Sequence, residues 1–269
     1  MVTMSNLIIG MAVNKVANIE SVEIFCKSLR LHYDSDVCLI TDNNDQTFVN
    51  YLKSFNINVI YVKDKVTIEA LMYMRWLLPH TVITKQYPDA TNIILSDVRD
   101  IIYQADPFPH LSGKELDLSA ETKRIQECPR WNCMWIRDMY GEDTLQRVKN
   151  NWILCGGLMA GKRDGILKLC ELMLEEYKRL KHIFTDQGSL NVFYAEGKLP
   201  EATIHHTGDD LVATIGHALG VTYIDKDGYL IGNEGIKPAI IHQYDRHPNL
   251  QDLLLDRVKK QYDERVVNG

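Results

Sequence analysis

The stretch TNIILSDVRD, residues 91–100, decides the fold class, because an apolar run ends in it abruptly at polar residues. Residues 91–96 predict a buried β-strand, since β-branched and apolar residues follow one another without the alternation of a half-exposed strand. Such strands are typical of parallel sheets that are covered on both faces. Asp97, Arg99 and Asp100 then mark the carboxyl end of the predicted strand.

The sequence before this strand alternates three further strands with three helices. Short apolar runs predict strands at residues 6–13, 36–41 and 59–62. Helical spacing of apolar residues predicts helices at residues 19–31, 48–55 and 68–78, and Pro79 is expected to end or kink the last of them. This order predicts an α/β fold with a mostly parallel central sheet flanked by helices.

The sequence after this strand is less regular. It predicts strands at residues 115–121, 152–160 and 239–242, helices at residues 164–180, 186–194 and 250–266, and a turn at Asp227-Gly228. No repeat, low-complexity tract or linker marks a boundary. We therefore predict one domain over residues 1–269, with an elaborated C-terminal half.

Composition narrows the functional classes. The chain has 269 residues, 45% of them apolar and 25% charged, which is enough for a large core and argues against disorder. Its formal net charge of −6 disfavours a nucleic-acid partner. We expect a cytoplasmic protein, because no apolar run approaches the about 20 residues of a membrane span, no signal peptide is recognisable, and the six cysteines form no CxxC pair.

Polar residues at the strand ends predict a ligand site. The carboxyl ends of parallel strands share one edge of a sheet, so Asn14, Asp42 and the segment from Asp97 to Asp100 should face a common cleft. Asp97 and Asp100 can share a ligand only if the backbone turns between them. Two neighbouring carboxylates suit Mg²⁺ or Mn²⁺. Pairing with Arg99, or simple hydration, explains them equally well.

His242 adds a third candidate metal ligand. It is the first polar residue after the apolar run 239–241, and a polar cluster follows it. Imidazole joins carboxylates readily around Mn²⁺, and less readily around Mg²⁺. We predict that Asp97, Asp100 and His242 bind one divalent cation, although a lone histidine is more often a structural residue.

Two further features point to the same cleft. Arg75 lies in the middle of an apolar helical stripe, where a guanidinium needs a carboxylate, carbonyls or a ligand phosphate as its partner. Gly156 and Gly157 interrupt a β-prone segment, which indicates either a bulge or the close approach of a ligand.

Three polar side chains are weaker candidates. Thr185 is the predicted N-cap of a helix whose first turn holds Asp186 and Gln187. The carboxylate and the amide could bond sugar hydroxyls, and ordinary capping is the alternative. Glu121 ends a predicted strand and is either a catalytic acid or a solvated one.

The order of these motifs resembles that of GT-A glycosyltransferases, in particular glycogenin and the bacterial lipopolysaccharide hexosyltransferases. Residues 97–108 are similar to their Asp-x-Asp region, residues 154–158 to their Asn-Ser-Gly-Val region, residues 185–191 to their Asp-Gln-Asp-x-Leu-Asn helix start, and residues 240–242 to their late metal-binding histidine. The chain departs from the pattern in having Asp-x-x-Asp, Gly188 in place of the second acid, and no Lys-Pro-Trp after His242. These departures indicate a divergent branch.

The resemblance implies a GT-A fold and a metal-dependent glycosyltransferase. Such an enzyme moves a sugar from a nucleoside-diphosphate donor, most often UDP-linked, to a hydroxyl of a glycan or glycoconjugate. The cofactor implied is Mn²⁺, or Mg²⁺, on Asp97, Asp100 and His242. The residues implied in donor and cofactor binding are Ala12, Asn14, Thr41, Asp42, Arg75, Ser96, Asp97, Val98, Gly156, Gly157 and Arg246.

The same resemblance implies catalytic roles for three residues. Asp186 and Gln187 orient the donor sugar, or Asp186 stabilises a developing oxocarbenium ion. Retention of configuration is favoured by the resemblance, and inversion requires Glu121 or Asp186 as the general base for the acceptor.

Other classes of function remain open from the sequence. A sugar nucleotidyltransferase should carry a Gly-rich basic loop after its first strand, and residues 11–15 have none. A haloacid-dehalogenase phosphatase should carry its acids after the first strand, whereas here they follow the fourth. A non-catalytic carbohydrate- or nucleotide-binding domain keeps the cleft but tolerates loss of the acids.

Overall fold

The computed structural model describes residues 5–63, 66–182 and 186–268. Its centre is a seven-stranded sheet in the order β3-β2-β1-β4-β7-β6-β8. The strands are β1 Ser5–Ala12, β2 Asp36–Thr41, β3 Asn58–Tyr61, β4 Ala90–Ser96, β6 Leu116–Arg124, β7 Trp152–Lys162 and β8 Ala202–His205. Only β7 runs antiparallel to its neighbours, so the prediction of a mostly parallel α/β sheet is confirmed. The arrangement is consistent with a Rossmann-like fold.

Helices cover both faces of this sheet. They are α1 Ile19–His32, α2 Gln46–Ser54, α3 Ile68–Lys85, α4 Met134–Tyr140, α5 Glu142–Val148, α6 Arg163–Leu180, α7 Gln187–Ala195 and α8 Pro248–Asn268. Phe25 and Leu52 bring α1 and α2 into one apolar cluster. Trp76, Leu169 and Phe193 bring α3, α6 and α7 into the cluster on the opposite face.

The buried strands show why their sequences are continuously apolar. In β1, Leu7 and Ile9 belong to one cluster, whereas Ile8 and Ala12 belong to the other. Successive side chains of a strand point to opposite faces, so a strand covered on both sides needs apolar residues at every position. The predicted strands and helices of the first half are confirmed, apart from the end of α3.

Of the two outcomes predicted for the third helix at Pro79, an end or a kink, the end does not occur. Helix α3 continues through Pro79 to Lys85. Proline removes one backbone hydrogen bond and ordinarily kinks or breaks a helix. Here Trp76 lies before Pro79 and Val82 and Ile83 lie after it, and all three are buried in the same cluster. Tertiary packing on both sides of the proline thus holds the two halves in one helix.

A second, three-stranded sheet lies beside the carboxyl end of β4. It has the order β5-β12-β9, with β5 Ile101–Tyr103, β9 Val212–Thr214 and β12 Ile240–His242. Strand β12 was predicted, whereas β5 and β9, each of three residues, were not. The antiparallel register of β5 and β12 pairs His242 with Ile101. His242 therefore lies next to Ile101, the residue that follows Asp100.

Two other parts of the second half complete the fold. The segment between β6 and β7 holds a helical turn at Pro129–Cys133 and then α4 and α5, none of which was predicted. It packs around its own apolar cluster, which includes Ile125, Ile136 and Val148. The predicted turn at Asp227-Gly228 joins two strands that were not predicted, β10 Tyr223–Ile224 and β11 Leu230–Ile231, in an antiparallel hairpin.

The length and composition of the helices show whether any of them could span a membrane. The longest are α3 and α6, with 18 residues each, and α8, with 21. Within the described residues, no helix combines the length and the apolar character that crossing a bilayer requires. All six cysteines are buried and free of disulfide bonds.

Gly165 near the start of α6 offers a test of this packing. A Cβ atom at this position would lie 2.1 Å from the Glu115 carbonyl oxygen. Glycine to alanine in a helix interior normally stabilises by roughly 0.5–1 kcal/mol. We predict the opposite sign for Gly165→Ala, a loss of about 1–3 kcal/mol from overpacking, measured by urea unfolding. Lys168→Ala, at an exposed position of the same helix, is the control and should stay near wild type. A stabilised Gly165→Ala variant would contradict the packing described.

Candidate metal centre

Asp97 and Asp100 are brought together by a tight turn after β4. The Asp97 N–H donates to the Gly157 carbonyl at 2.7 Å, which extends the β4–β7 pairing by one residue. Val98 is buried in the core, whereas the Arg99 side chain is 56% exposed and pairs with Asp245 at 3.0 Å. The chain then enters β5 directly after Asp100. The two residues between the acids thus form the turn that places both carboxylates on the same side.

His242 completes a group of three that could hold a metal ion. Its Nε2 lies 3.8 Å from Asp97 Oδ2 and 3.9 Å from Asp100 Oδ1, and one ligand atom from each residue lies within 4.8 Å of the others. His242 is 1% exposed, and its Nε2 is buried without a hydrogen-bond partner. A buried polar atom without a partner is costly. The separations exceed a hydrogen bond and leave room for a cation, so the residues fit one.

Gly157 makes the space for this group. A Cβ atom on Gly157 would lie 2.5 Å from His242 Nε2 and 2.7 Å from Asp97 Oδ2. Any side chain at this position would therefore occupy the place where the three ligand atoms converge. The pairing of β6 with β7 is irregular at the glycines, since Leu118 pairs with Met159 but Ala120 pairs with Leu154. The bulge that the sequence indicated is therefore observed, while the close approach of a ligand stays a prediction.

Cys155 contacts the other side of the His242 ring. Its Sγ lies 3.5 Å from His242 Nδ1, and both residues are buried. Metal-binding histidines usually engage their second ring nitrogen in a hydrogen bond, which sets the orientation of the ring. Cys155 occupies that position here and directs Nε2 toward the carboxylates.

The charges in the group are strongly coupled. Burial lowers the pKa of His242, but Cys155, Asp97 and Asp100 outweigh burial and raise that pKa well above its ordinary value. Burial raises the pKa of Asp97, yet Arg75 and His242 outweigh burial and hold it below its usual range. Burial also raises the pKa of Asp100, and His242 offsets only part of this effect. A bound cation must displace the His242 proton, because metals take the neutral imidazole.

Arg75 reaches the centre from α3. It donates to Asp97 Oδ1 at 3.0 Å, to Asp186 Oδ2 at 3.5 Å and to the Gly156 carbonyl oxygen. Burial lowers the pKa of Arg75, but the two carboxylates outweigh burial and raise it, so the guanidinium stays charged. The predicted pairing of Arg75 with an aspartate at the cleft is therefore observed.

Helix α7 starts beside the same glycines. Asp186 caps the helix by accepting from the Gln187 N–H, while Thr185, the predicted N-cap, lies outside the described residues. Gln187 accepts from the Gly156 N–H at 3.1 Å and donates to Glu121 Oε1 at 3.1 Å and Asn132 Oδ1 at 3.2 Å. Gln187 thus links β7, β6 and the segment before α4.

A cavity of about 240 Å³ adjoins the metal group between β1, β4 and α3. Its lining includes four residues predicted to bind the donor or cofactor, namely Arg75, Ser96, Asp97 and Val98, together with Arg99 and Asp100. Its walls are mainly apolar and comprise Ile9, Met11, Val13, Val16, Leu71, Pro79, Leu95 and Met159. The strand-end cleft that the sequence predicted is present at β4.

The expectation that Asn14 and Asp42 share this cleft is not met, since neither lines the cavity. Asp42 accepts from the backbone N–H of Asn14 at 2.9 Å and of Val66 at 3.1 Å, so its carboxylate holds the surrounding loops. Ala12 and Thr41 are fully buried. These strand-end residues serve the backbone because its N–H groups need partners there.

Arg246, predicted to bind the donor, does not line the cavity. It ends a helical turn at Tyr244–Arg246 and its side chain is exposed. Its Nη1 would lie 2.9 Å from a Cβ on Gly216, which places it beside the loop after β9. Three residues that contact the site residues were not predicted as part of the site, namely Cys155, Asn132 and His217. Only the adjacency of Cys155 to the glycine pair gave a signal.

Comparison with models of protein families finds no match for this chain, and no curated protein matches its sequence. The resemblance to GT-A glycosyltransferases therefore remains a prediction from motifs. The geometry of the site has to carry the functional argument.

The glycine pair provides a matched test of the metal centre, with Mn²⁺ as the probe. Gly157→Ala places a Cβ between the ligand atoms, and we expect Mn²⁺ to bind about 10- to 100-fold more weakly, as when supporting contacts of a metal site are lost. Gly156→Ala is the control, because its Cβ meets Gln187 Cβ at an ordinary 3.6 Å. Free Mn²⁺ is measured by electron paramagnetic resonance. Equal affinities for the two variants would exclude this site.

Proposed function

We propose that this protein is a metal-dependent glycosyltransferase with a GT-A fold, which moves a sugar from a nucleoside-diphosphate donor to a hydroxyl of a glycan or glycoconjugate. The observation that carries the proposal is the group of Asp97, Asp100 and His242, in which the two acids follow the carboxyl end of β4 in the mostly parallel sheet and His242 comes from β12 beside it. This is the edge at which such sheets bind ligands. Mn²⁺ is the cation that best suits two carboxylates and an imidazole.

Charge balance supports a diphosphate ligand. Asp97 is half exposed, whereas Asp100 and His242 are buried, so one side of the metal group opens toward a ligand. Bound there, the cation neutralises negative charge that develops on the leaving diphosphate. Arg75, held by Asp97 and Asp186, brings a permanent positive charge to the same side. An acidic protein acquires in this way a local site for an anion.

Different parts of the site suit the nucleoside and the sugar of the donor. The apolar cavity between β1, β4 and α3 suits a nucleoside, since it adjoins Asp97 and Arg75 and offers apolar walls to a base. Asp186 and Gln187 lie on the opposite side of Arg75, next to Gly156. Asp186 Oδ2 and Gln187 Oε1 each accept one hydrogen bond from the protein and keep a second lone pair for a hydroxyl of the donor sugar.

A panel of nucleotide sugars tests the proposal by calorimetry. We expect Mn²⁺-dependent binding of at least one UDP-sugar, and a loss of about 100-fold or more in the Asp97→Asn, Asp100→Asn double variant, because two charged ligands of the cation are removed. Asp245→Asn is the control, since this nearby acid pairs with Arg99 instead. Failure to bind any nucleotide sugar, with or without metal, would end the proposal. Unaltered binding of nucleotide sugars by the double variant would favour a non-catalytic binding domain.

Substitutions of Arg75 test whether this residue binds the diphosphate or only pairs with Asp97 and Asp186. Its guanidinium competes with a cation for Asp97, so Arg75→Gln should leave Mn²⁺ affinity equal to wild type or raise it. The same variant should weaken Mn²⁺-dependent UDP binding by about tenfold or more, or about 1.4 kcal/mol. Arg75→Lys, which keeps the charge, should lie between the two. Titrations with Mn²⁺ alone and then with UDP measure both effects. A parallel fall of both affinities would assign Arg75 a structural role.

A further inference from the structure

The buried carboxylate of Glu121 and the partly exposed imidazole of His217 form a pair near the candidate metal centre. Glu121 Oε2 lies 2.9 Å from His217 Nε2, and Glu121 Oε1 accepts from Gln187 at 3.1 Å. His217 follows β9, two residues after Ile215, whose N–H donates to the His242 carbonyl oxygen at 3.1 Å. The pair is thus tied to the metal centre through Gln187 on one side and through the backbone of the second sheet on the other.

The order of strands β4, β7 and β6 places the group of Asp97, Asp100 and His242 at one end of a short row of polar residues and the pair of Glu121 and His217 at the other end. Asp97 follows β4, Glu121 lies on β6, and β7 runs between these two strands. Two strand separations amount to roughly 10 Å. Gly156 on β7 and Gln187 at the start of α7 occupy the middle of the row. A donor whose diphosphate meets the cation and whose sugar meets Gln187 therefore extends toward Glu121 and His217.

His217 is the member of this row that can accept a proton. Glu121 Oε1 accepts from Gln187, Oε2 lies 2.9 Å from His217 Nε2 without a hydrogen bond of good geometry, and the side chain is 4% exposed, so an acceptor hydroxyl cannot readily reach this carboxylate. Asp186 is engaged by Arg75 and by the Gln187 N–H. The His217 side chain is 20% exposed, and only its Nε2 faces Glu121. An imidazole whose one nitrogen is held by a carboxylate presents the other as a base.

We infer that His217, oriented by Glu121, accepts the proton of the attacking hydroxyl, and that transfer inverts the configuration at the anomeric carbon. This inference rests on the proposed glycosyl transfer. The hydroxyl oxygen forms a bond to the anomeric carbon as the carbon–oxygen bond to the diphosphate breaks. The electron pair of that bond leaves with the diphosphate, and the proton passes to His217 Nδ1.

Hydrolysis of the donor tests the inference without knowledge of the natural acceptor. The protein is incubated with Mn²⁺ and UDP-α-glucose or UDP-α-galactose, so that water acts as the acceptor, and the first-formed sugar is identified by proton nuclear magnetic resonance before its anomers equilibrate. We expect the β-anomer. The α-anomer as first product would overturn the inference, as would a donor that binds to the wild-type protein but is never hydrolysed.

A variant series tests the residue itself. His217→Gln should lower the turnover rate by about 100-fold or more, with the Mn²⁺ and UDP affinities unchanged, because proton transfer contributes factors of this size. Glu121→Gln should lower the rate less, since the imidazole remains. His206→Gln, at an exposed position on the same side, is the control. Near wild-type turnover in His217→Gln would contradict the inference, whereas a donor panel that shows no binding at all would instead contradict the proposed function.

Discussion

The antiparallel pairing of β5 with β12 is the interaction on which the candidate site depends. It sets His242 opposite Ile101, and Asp100 directly precedes Ile101. The Gln243 N–H continues the pairing by donating to the Asp100 carbonyl oxygen at 2.8 Å. Because these contacts are made by the backbone, the imidazole and the carboxylates are positioned by rigid elements, which is what a metal site requires. Two short strands far apart in the chain thus build the centre.

Because Asp97 and Asp100 lie so close together, positive groups must surround them. Like charges in a poorly solvated place are unfavourable unless positive groups compensate them. Arg75 supplies a permanent charge from α3, and His242 supplies a proton that a cation can replace. Gly157 allows these groups to approach so closely, because any side chain there would occupy their meeting point. The same constraint favours a cation among the three ligand atoms and, in the proposed function, an anion beside it.

The order of the strands distributes distinct chemistry along one edge of the sheet. The cation group lies at the end of β4, the amide of Gln187 lies over β7, and Glu121 lies on β6. Glycosyl transfer as proposed needs these three tasks in this sequence, namely charge neutralisation, sugar orientation and proton acceptance. Hydrogen bonds from Gln187 connect the last two, so a ligand that moves this side chain affects both.

The sequence by itself determined the layered α/β order and identified the candidate metal ligands Asp97 and His242, because each of them follows a continuous apolar run and such runs are buried strands. It could not show that Asn14 bonds Asp42 instead of lining the cleft, since both follow strands in the same way as Asp97. Nor could it single out His217, which lies in an irregular segment without periodicity. Whether a strand or helix is buried can be predicted from the pattern of apolar residues in its own sequence. Which strand-end side chains meet depends on register and on contacts between distant residues, and only the tertiary structure decides that.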